Sequence, residues 1–325
     1  MIRSTLVVLA ATLSGLTAHT PVAAQTAAVP NPLTIVVPYA PGGASDRAAR
    51  IVSEGLTKKF GANVIVENRT GAGGRIAAQY VKGAAQDSNV VMLGNPAIMV
   101  VAPLVYQDLD YLPSKDFAPV AMATQYGFGV AVSAASPIKT LSDLIAWAKT
   151  NQQDFNVAVP ATGSLPHFFG LMLADKVNVK PEVIGYRGSA PAITDLIGGV
   201  VPVAIDTLDA LTPHHESGRI RIIATSGQQR EASLPQVPTF VEQGVELDSA
   251  GWNTFFASAA MPAEKRQALG QAIRDVVADA SIQKTLMQNS LVPVVANSNE
   301  TVALLDAFSA QWEPVIKNSN FVVSK

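Results

Sequence analysis

The chain has 325 residues with a formal net charge of -2, and 48% of its residues are hydrophobic while 15% are charged. This length exceeds what one ordinary hydrophobic core needs and predicts two domains. The chain contains no cysteine, which excludes disulfides, thiol catalysis and zinc–thiolate sites. Its slight excess of acidic residues argues against nucleic acid as a partner.

The first 24 residues predict a cleavable secretory signal peptide. Arg3 precedes an apolar run over residues 6–16, and small residues follow up to Ala24. A transmembrane helix needs about 20 apolar residues in a row, and polar residues from Thr12 to His19 interrupt this run. We therefore expect cleavage after Ala24 and a mature protein that works in the periplasm.

From residue 33 onward, short apolar runs alternate with stretches of helical spacing, which is typical of βαβ units. Asp46 stands where the N-cap of the first helix is expected. Strands are predicted at 33–37, 64–66 and 90–93, and helices at about 47–60, 75–85 and 97–105.

A second series of the same kind follows an extended stretch over residues 120–132. It comprises a helix at 141–149, a strand at 156–159, a helix at 166–177, a strand at 182–186, a helix at 190–197, and strands at 203–206 and 219–224. A strand at 252–256 and helices at 263–278, 282–288 and 299–316 are expected to return to the first domain.

This order predicts a two-domain α/β fold with a hinge and an interdomain cleft. The first domain comprises residues 31–130 and 252–325, and the second comprises residues 131–251. Clefts between such domains are natural ligand sites.

Two glycine-rich loops indicate how such a cleft binds its ligand. Gly42 and Gly43 join the first strand to the first helix, and backbone N–H groups at a helix N-terminus bind anions. A plain βα turn would show the same residues. Thr162, Gly163 and Ser164 also follow a strand and begin a helix, in the other domain, with His167 in its first turn. Together the two loops predict a pincer for a carboxylate.

Two charged residues near these loops leave alternatives open. Asp206 ends a strand at the edge where ligands of α/β sheets collect, so it either faces the ligand or a water molecule, or caps the next helix. Arg187 is the nearest cation, and it either contacts the ligand or is a solvated loop side chain.

Enzymatic interpretations have less support. Ser164 and His167 could form a dyad for a periplasmic hydrolase, but the sequence contains no G-x-S-x-G elbow. The Gly71-Ala72-Gly73-Gly74-Arg75-Ile76 stretch has isoleucine where a dinucleotide-binding loop requires glycine or alanine. Adjacent His214 and His215 lack metal-ligand spacing and are interpreted as a solvated helix end. We therefore expect no catalysis, no metal and no cofactor.

Several motifs in order give the chain a specific resemblance over essentially its whole mature length. It resembles the Bug-type solute-binding receptors of tripartite tricarboxylate transporters. The motifs are Pro38-Tyr39-Ala40-Pro41-Gly42-Gly43-Ala44-Ser45-Asp46, Ala49-Arg50, Val66-Glu67-Asn68-Arg69-Thr70-Gly71-Ala72-Gly73-Gly74, Tyr186-Arg187-Gly188, Pro191-Ala192, Asp195-Leu196-Ile197-Gly198-Gly199 and Leu234-Pro235-Gln236-Val237-Pro238-Thr239.

The resemblance implies a Venus-flytrap receptor that binds a small carboxylic acid or acidic amino acid, and our starting expectation is a monomer. Its partners would be membrane subunits of the transporter or, alternatively, a sensor kinase. Asp206 falls at the matching acidic position. In the family the carboxylate is held through backbone groups and bridging waters, which here would correspond to Gly42, Gly43, Ala44, Thr162, Gly163 and Ser164. We also predict that the ligand site includes Tyr39, Ser45, Asn95, His167 and Arg187.

The chain also departs from the family pattern at positions that bear on ligand choice. Ala97, which follows Gly94-Asn95-Pro96, stands where a polar cluster is usual, and Ala161 begins the second loop in place of glycine. Thr70 replaces a proline, and Pro202 stands where aspartate is common. These changes suggest a pocket that is less polar at its far end, which favours a monocarboxylate or aromatic acid over a citrate-like ligand.

Overall fold

The computed structural model describes residues 29–319 and 321–322. The predicted signal peptide lies outside the described residues. In chain order the strands are β1 (Leu33–Val37), β2 (Val64–Asn68), β3 (Val90–Gly94), β4 (Phe117–Tyr126), β5 (Phe128–Ser133), β6 (Asn156–Val159), β7 (Glu182–Gly185), β8 (Val203–Thr207), β9 (Ile220–Thr225), β10 (Gly251–Ser258) and β11 (Val292–Pro293).

The helices alternate with these strands over much of the chain. They are α1 (Ala44–Phe60), α2 (Arg75–Lys82), α3 (Ala102–Val105), α4 (Pro113–Asp116), α5 (Leu141–Thr150), α6 (Leu165–Val177), α7 (Ser189–Ile197), α8 (Leu208–Glu216), α9 (Ala263–Val277), α10 (Ala280–Gln288) and α11 (Ser298–Asn318). The predicted α/β fold class is confirmed.

The strands form two sheets. The six-stranded sheet has the order β11-β4-β10-β3-β1-β2, and the five-stranded sheet has the order β7-β6-β8-β5-β9. In the first sheet β1 pairs in parallel with β2 and β3. In the second, β6 pairs in parallel with β7 and β8. Helices follow the parallel strands, so these strands end at a common edge of their sheet, where α/β proteins bind ligands.

Two connections carry the chain between the sheets. β4 ends at Tyr126 and β5 begins at Phe128, so Gly127 alone separates a strand of one sheet from a strand of the other. The return runs from Thr225 at the end of β9 to Gly251 at the start of β10. The expected crossing near residue 130 thus falls at Gly127. The boundaries given for the two domains stay a prediction.

Burial explains why the apolar runs become strands. Ile35, Val36 and Val37 of β1 are fully buried, as expected for a parallel strand covered on both faces. The helices instead present one apolar stripe: in α1 the buried positions include Ala48, Val52 and Leu56, which recur at helical spacing.

The structure corrects several predictions about individual elements. α1 begins at Ala44 with Gly43 as its N-cap, so Asp46 lies in the first turn and is not the cap. The stretch predicted as one helix over 97–105 is a π-helical turn at Ala97–Val101 followed by α3. Helix α8 was implied by the helix expected after Asp206 and by the helix end expected at His214 and His215, but its bounds were not predicted, because Pro213 inside it obscures the helical pattern.

Candidate functional site

The predicted site residues lie where parallel strands end. The loop after β1 carries Gly42 and Gly43, and β3 ends immediately before Asn95. In the other sheet, the loop after β6 carries Thr162 to Ser164, and Asp206 lies near the end of β8. The sites expected from the two halves of the sequence are therefore placed at the corresponding edges of the two sheets.

The N-terminus of α1 presents unpaired backbone donors. Gly43 caps the helix without any side-chain hydrogen bond. The first bond to this end is donated by the Arg47 N–H to the Gly43 carbonyl, so the N–H groups of Ala44, Ser45 and Asp46 have no acceptor within the helix. Their partial positive charge favours an anion.

Asp46 lies beneath these donors, but its charge is compensated. Its carboxylate accepts bonds from Arg50 Nε and Nη2, both at 3.0 Å, from Asn68 Nδ2 at 2.9 Å and from the Gly42 N–H at 2.9 Å. Burial raises the pKa of Asp46, but the bonds from Arg50, Gly42 and Asn68 outweigh it and hold the pKa below its ordinary value. The Gly42 N–H is thus used internally, and the loop is held rigidly.

Tyr39 and Asn95 bond to each other at the same sheet edge as the N-terminus of α1. The Tyr39 hydroxyl donates to Asn95 Oδ1 at 2.9 Å, and the Ala97 N–H donates to the same oxygen at 3.1 Å. Burial raises the pKa of Tyr39, against a smaller opposing effect of Asn95, so the phenol stays protonated. Because Oδ1 of Asn95 is occupied, the amide NH₂ is the group of Asn95 that can serve a ligand.

Ser45 contributes its backbone and not its hydroxyl. Its Oγ donates to Asn253 Oδ1 at 2.6 Å, and Asn253 Nδ2 in turn donates to Thr124 Oγ1 at 3.0 Å. Ser45 is buried. This hydrogen-bonded chain fixes the first turn of α1 onto β10 and β4, and it was not predicted because Ser45 and Asn253 are 208 residues apart.

The second loop differs because it uses several of its own donors internally. Ser164 is the N-cap of α6, and its Oγ accepts a long bond of 3.4 Å from the His167 N–H. Pro166 has no N–H group. The Gly163 N–H donates to His167 Nδ1 at 2.9 Å, so this glycine is not a free donor.

His167 is held among aromatic rings. It stacks on Phe168 with a centroid separation of 5.0 Å and meets the edge of Phe321 at 5.6 Å. Burial lowers its pKa, which favours the neutral imidazole. Because Nδ1 accepts from the Gly163 N–H and only the backbone of His167 bonds Ser164, the geometry does not support the Ser164–His167 dyad of the hydrolase alternative.

Phe321 is a residue near this loop that was not predicted. A Cβ placed on Gly163 would lie 2.6 Å from its ring, and Gly163 has a φ of +79°, so this position requires glycine. Thr162 packs equally tightly on the end of β7, where a Cβ on Gly185 would lie 1.9 Å from its Oγ1. Both contacts fix the shape of the second loop.

Asp206 is a buried acid with an unsatisfied oxygen. Its exposed fraction is 3%, Oδ1 accepts from the Thr207 N–H at 2.7 Å, and Oδ2 has no partner within the described residues. Burial raises the pKa of Asp206 to about 7 against the opposing effects of Ser189 and of the Thr207 N–H, and the nearby Asp209 carboxylate adds a smaller increase. Thr207 is the N-cap of α8, so the capping alternative for Asp206 is wrong.

The remaining candidates, Arg187, His214 and His215, lie outside the two glycine-rich loops. Arg187 is exposed on the loop after β7, as its solvated alternative expects. His214 and His215 lie in the last turn of α8, as expected, but both are half-buried and His215 Nδ1 accepts a hydrogen bond from the Ile222 N–H at 3.2 Å, so the prediction that this helix end is solvated is wrong. Within the described residues no group of three or more acidic or imidazole side chains is placed to hold a metal, and no helix there is long and apolar enough to cross a membrane.

An ion pair joins helices that belong to different sheets. Arg47, in the first turn of α1, donates from Nη2 to Asp209 Oδ2 in the first turn of α8 at 2.5 Å. Arg47 Nη1 also donates to the Gly42 carbonyl. The pair brings the two sheet edges that carry the glycine-rich loops into contact.

Two cavities lie away from both loops. One of about 810 Å³ is lined by residues of the two inter-sheet connections, including Tyr126, Ser226 and Trp252. One of about 740 Å³ lies between α6, α11 and the return connection. None of the predicted ligand-binding residues lines either cavity.

Two α/β units joined by two connections, with helix N-termini meeting at their adjoining edges, define a two-lobed solute-binding protein. The chain belongs to the family described as tripartite tricarboxylate transporter family receptor, whose model matches residues 48–321. The resemblance seen in the sequence is thereby confirmed.

Individual relatives agree with this assignment. A UPF0065 protein of Bordetella bronchiseptica is 35% identical over 289 residues, covering 89% of this chain and 86% of its own. A solved R. palustris protein with adipate is 30% identical with a TM-score of 0.81, covering 88% of this chain and 96% of its own. MatC from Rhodopseudomonas palustris with bound malate is 26% identical with a TM-score of 0.76, covering 88% and 99%.

Proposed function

We propose that this protein is a periplasmic solute-binding receptor that captures a small carboxylate between its two lobes and passes it to the membrane subunits of a tripartite transporter. The observation that carries the proposal is the N-terminus of α1, which has no side-chain cap. Its first-turn N–H groups have no acceptor within the helix. The predicted lobes, residues 31–130 with 252–325 and residues 131–251, would close around the ligand. We propose no catalytic step.

The donors at this end can supply the required affinity. A hydrogen bond to a charged group contributes about 1.5–3 kcal/mol, and micromolar binding corresponds to about 8 kcal/mol. Three or four such bonds suffice, and the N–H groups of Ala44 and Ser45 together with the Asn95 amide supply three. The compensated charge of Asp46 removes the main source of repulsion for an anion here.

The opposing wall would contribute groups of a different kind. The Ser164 hydroxyl can donate to the ligand while its oxygen caps α6, and Thr162 is exposed beside it. Asp206 Oδ2 lacks a partner, and a water molecule between it and the ligand would satisfy it. In this proposal Tyr39 and His167 shape the pocket, and Arg187 stays in solvent.

Two relatives suggest which ligands to test first. The R. palustris neighbours were solved with adipate and with malate, which are both dicarboxylates. The departures at Ala97 and Ala161 instead favour a monocarboxylate or an aromatic acid. A receptor with a single strong carboxylate subsite at α1 accommodates either class.

The test is a thermal-shift screen of the mature protein, residues 25–325, after unfolding and refolding to remove carried-over ligand. Adipate, malate, citrate and benzoate are compared with their uncharged amides. A ligand present at about 100 times its dissociation constant adds about 2.7 kcal/mol to the free energy of unfolding. Stabilisation by acids and not by amides supports the proposal. Equal stabilisation by the acids and their amides contradicts it, and so does the absence of stabilisation by any of them.

Transport and signalling are separated by a different experiment. If the receptor serves a transporter, deletion of its gene abolishes uptake of the radiolabelled ligand identified in the screen. If it serves a sensor kinase, uptake persists and the transcriptional response to that ligand is lost.

A further inference from the structure

Arg47 and Asp209 hold the two halves of the molecule together across the edge that carries both loops. Arg47 follows β1 of the six-stranded sheet, whereas Asp209 follows β8 of the five-stranded sheet. They are 162 residues apart in the chain. By contrast, the Arg50–Asp46 and Lys82–Asp116 pairs each lie within the half built on the six-stranded sheet.

The surroundings of this ion pair weaken the screening of its attraction but also make the contact easy to open. The Asp209 side chain is 8% exposed and that of Arg47 is 29% exposed, so solvent and salt screen their attraction only partly. Arg47 Nε and Asp209 Oδ1 are buried and have no hydrogen-bond partner among the residues that the structure describes. Closing the contact therefore removes polar atoms from water without full compensation, and the net gain is small.

We propose that Arg47 and Asp209 form an interdomain latch that favours the closed arrangement of the two lobes before any ligand binds. Arg47 also positions the loop after β1, because its guanidinium donates a hydrogen bond to the Gly42 carbonyl. Its effect on affinity rests on the proposed function, whereas its effect on closure does not.

A latch of this kind sets affinity through the population of the closed state. The apparent dissociation constant equals the intrinsic constant divided by the closed fraction. If loss of the ion pair lowers that fraction from about one half to about one twentieth, affinity falls about tenfold. Neither side chain needs to touch the ligand for this to happen.

Closure can be measured without ligand by spin-label distances. The chain has no cysteine, so Lys58→Cys on α1 and Lys149→Cys on α5 place one label on each sheet's helices, and both positions are exposed. Distance distributions are recorded for this labelled protein and for its Arg47→Gln and Asp209→Asn variants, at low and high ionic strength. Glu313→Gln, which breaks the exposed pair with Lys317 on α11, is the matched control.

The latch predicts longer label distances in Arg47→Gln and in Asp209→Asn, and an unchanged distribution in Glu313→Gln. High ionic strength should shift the parent protein toward the variants and leave the variants unchanged. Exchanging the charges, with Arg47→Asp and Asp209→Arg together, should restore short distances. Identical ligand-free distributions in the parent and both single variants would overturn the latch.

Carboxylate titrations distinguish the latch from direct recognition of the ligand. The latch predicts that both single variants weaken binding by a similar factor, about tenfold or less. If Asp209→Asn instead tightens binding while Arg47→Gln weakens it, Arg47 contacts the ligand and the latch is wrong. If no carboxylate binds but the distances change as expected, the latch stands and the proposed function fails.

Discussion

The two loops that we propose as walls of the ligand cleft use the same strand–loop–helix design with opposite internal bonding. At α1 the backbone N–H groups of the first turn are left open, and the buried Asp46 is fully paired with Arg50, Asn68 and Gly42. At α6 the loop consumes its own donors through Ser164 and His167. On that same sheet, the buried Asp206 keeps an unpaired oxygen.

This difference shows that two similar glycine-rich loops need not be equivalent halves of a pincer. The first wall offers positive potential without an uncompensated charge, and it suits the anionic end of a ligand. The second wall offers a hydroxyl group and a buried acid, one oxygen of which has no partner within the described residues. Each wall can therefore be altered separately.

The largest expected effect is on the pH dependence of stability, and it comes from Asp206. Because the pKa of Asp206 is raised to about 7 in the folded protein, the folded state holds a proton that the unfolded state releases between about pH 4 and pH 7. Stability should fall as the pH rises through this window. Asp206→Asn should therefore raise the free energy of unfolding by as much as about 4 kcal/mol at about pH 8 and change it little at about pH 4.

Urea unfolding at both pH values measures this effect. The matched control is Asp46→Asn, which weakens a satisfied network and should lower stability by about 2 kcal/mol at the higher pH. Destabilisation by Asp206→Asn at that pH would show that the carboxylate has a partner in the folded protein, and the contrast between the two acids would be lost.

A smaller effect is expected when one open donor is removed from α1. Ala44 is the first helical residue, where proline is well tolerated, so Ala44→Pro deletes one N–H group while the helix is kept. The loss of one bond to a charged group should weaken carboxylate binding about 10- to 100-fold. Isothermal titration with the acid identified in the screen gives the dissociation constant.

The control for this variant is the same substitution at another helix start. Ala280 is exposed and is the first residue of α10, so Ala280→Pro should leave the dissociation constant unchanged. Equal affinities for Ala44→Pro and the parent protein would exclude the Ala44 N–H from the carboxylate subsite.

The smallest effect is expected at the self-capped wall. Ser164→Ala removes the N-cap of α6 and should lower the free energy of unfolding by about 1 kcal/mol. It should weaken ligand binding less than Ala44→Pro does. Thermal unfolding and titration on the same sample measure both effects, and a larger loss of affinity here than at Ala44 would reverse the comparison of the two walls.

The placement of the two loops could be predicted from sequence because it depends on local patterns. Buried runs followed by glycines and a helical stripe predicted β1 with α1 and β6 with α6. The start of α1 was misplaced because an aspartate in the first turn resembles an N-cap, whereas Asp46 in fact bonds backward to Gly42.

What remained hidden depends on contacts between distant segments. Arg47 and Asp209, Ser45 and Asn253, and Gly163 and Phe321 meet only after both sheets have formed. The unpaired oxygen of Asp206 is likewise set by burial, which no local pattern encodes. Sequence patterns located the two loops that we propose bind the ligand, and tertiary packing determines which of their groups are free.

The most direct test of the account is an NMR titration of the ¹⁵N-labelled mature protein with the carboxylate that stabilises it best. The backbone amide protons of Ala44 and Ser45 should shift downfield with saturation, since they acquire a charged acceptor, while those of Gly163 and His167 keep their internal partners and move little. Saturable binding that shifts the α6 amides and leaves those of α1 unchanged would contradict the account.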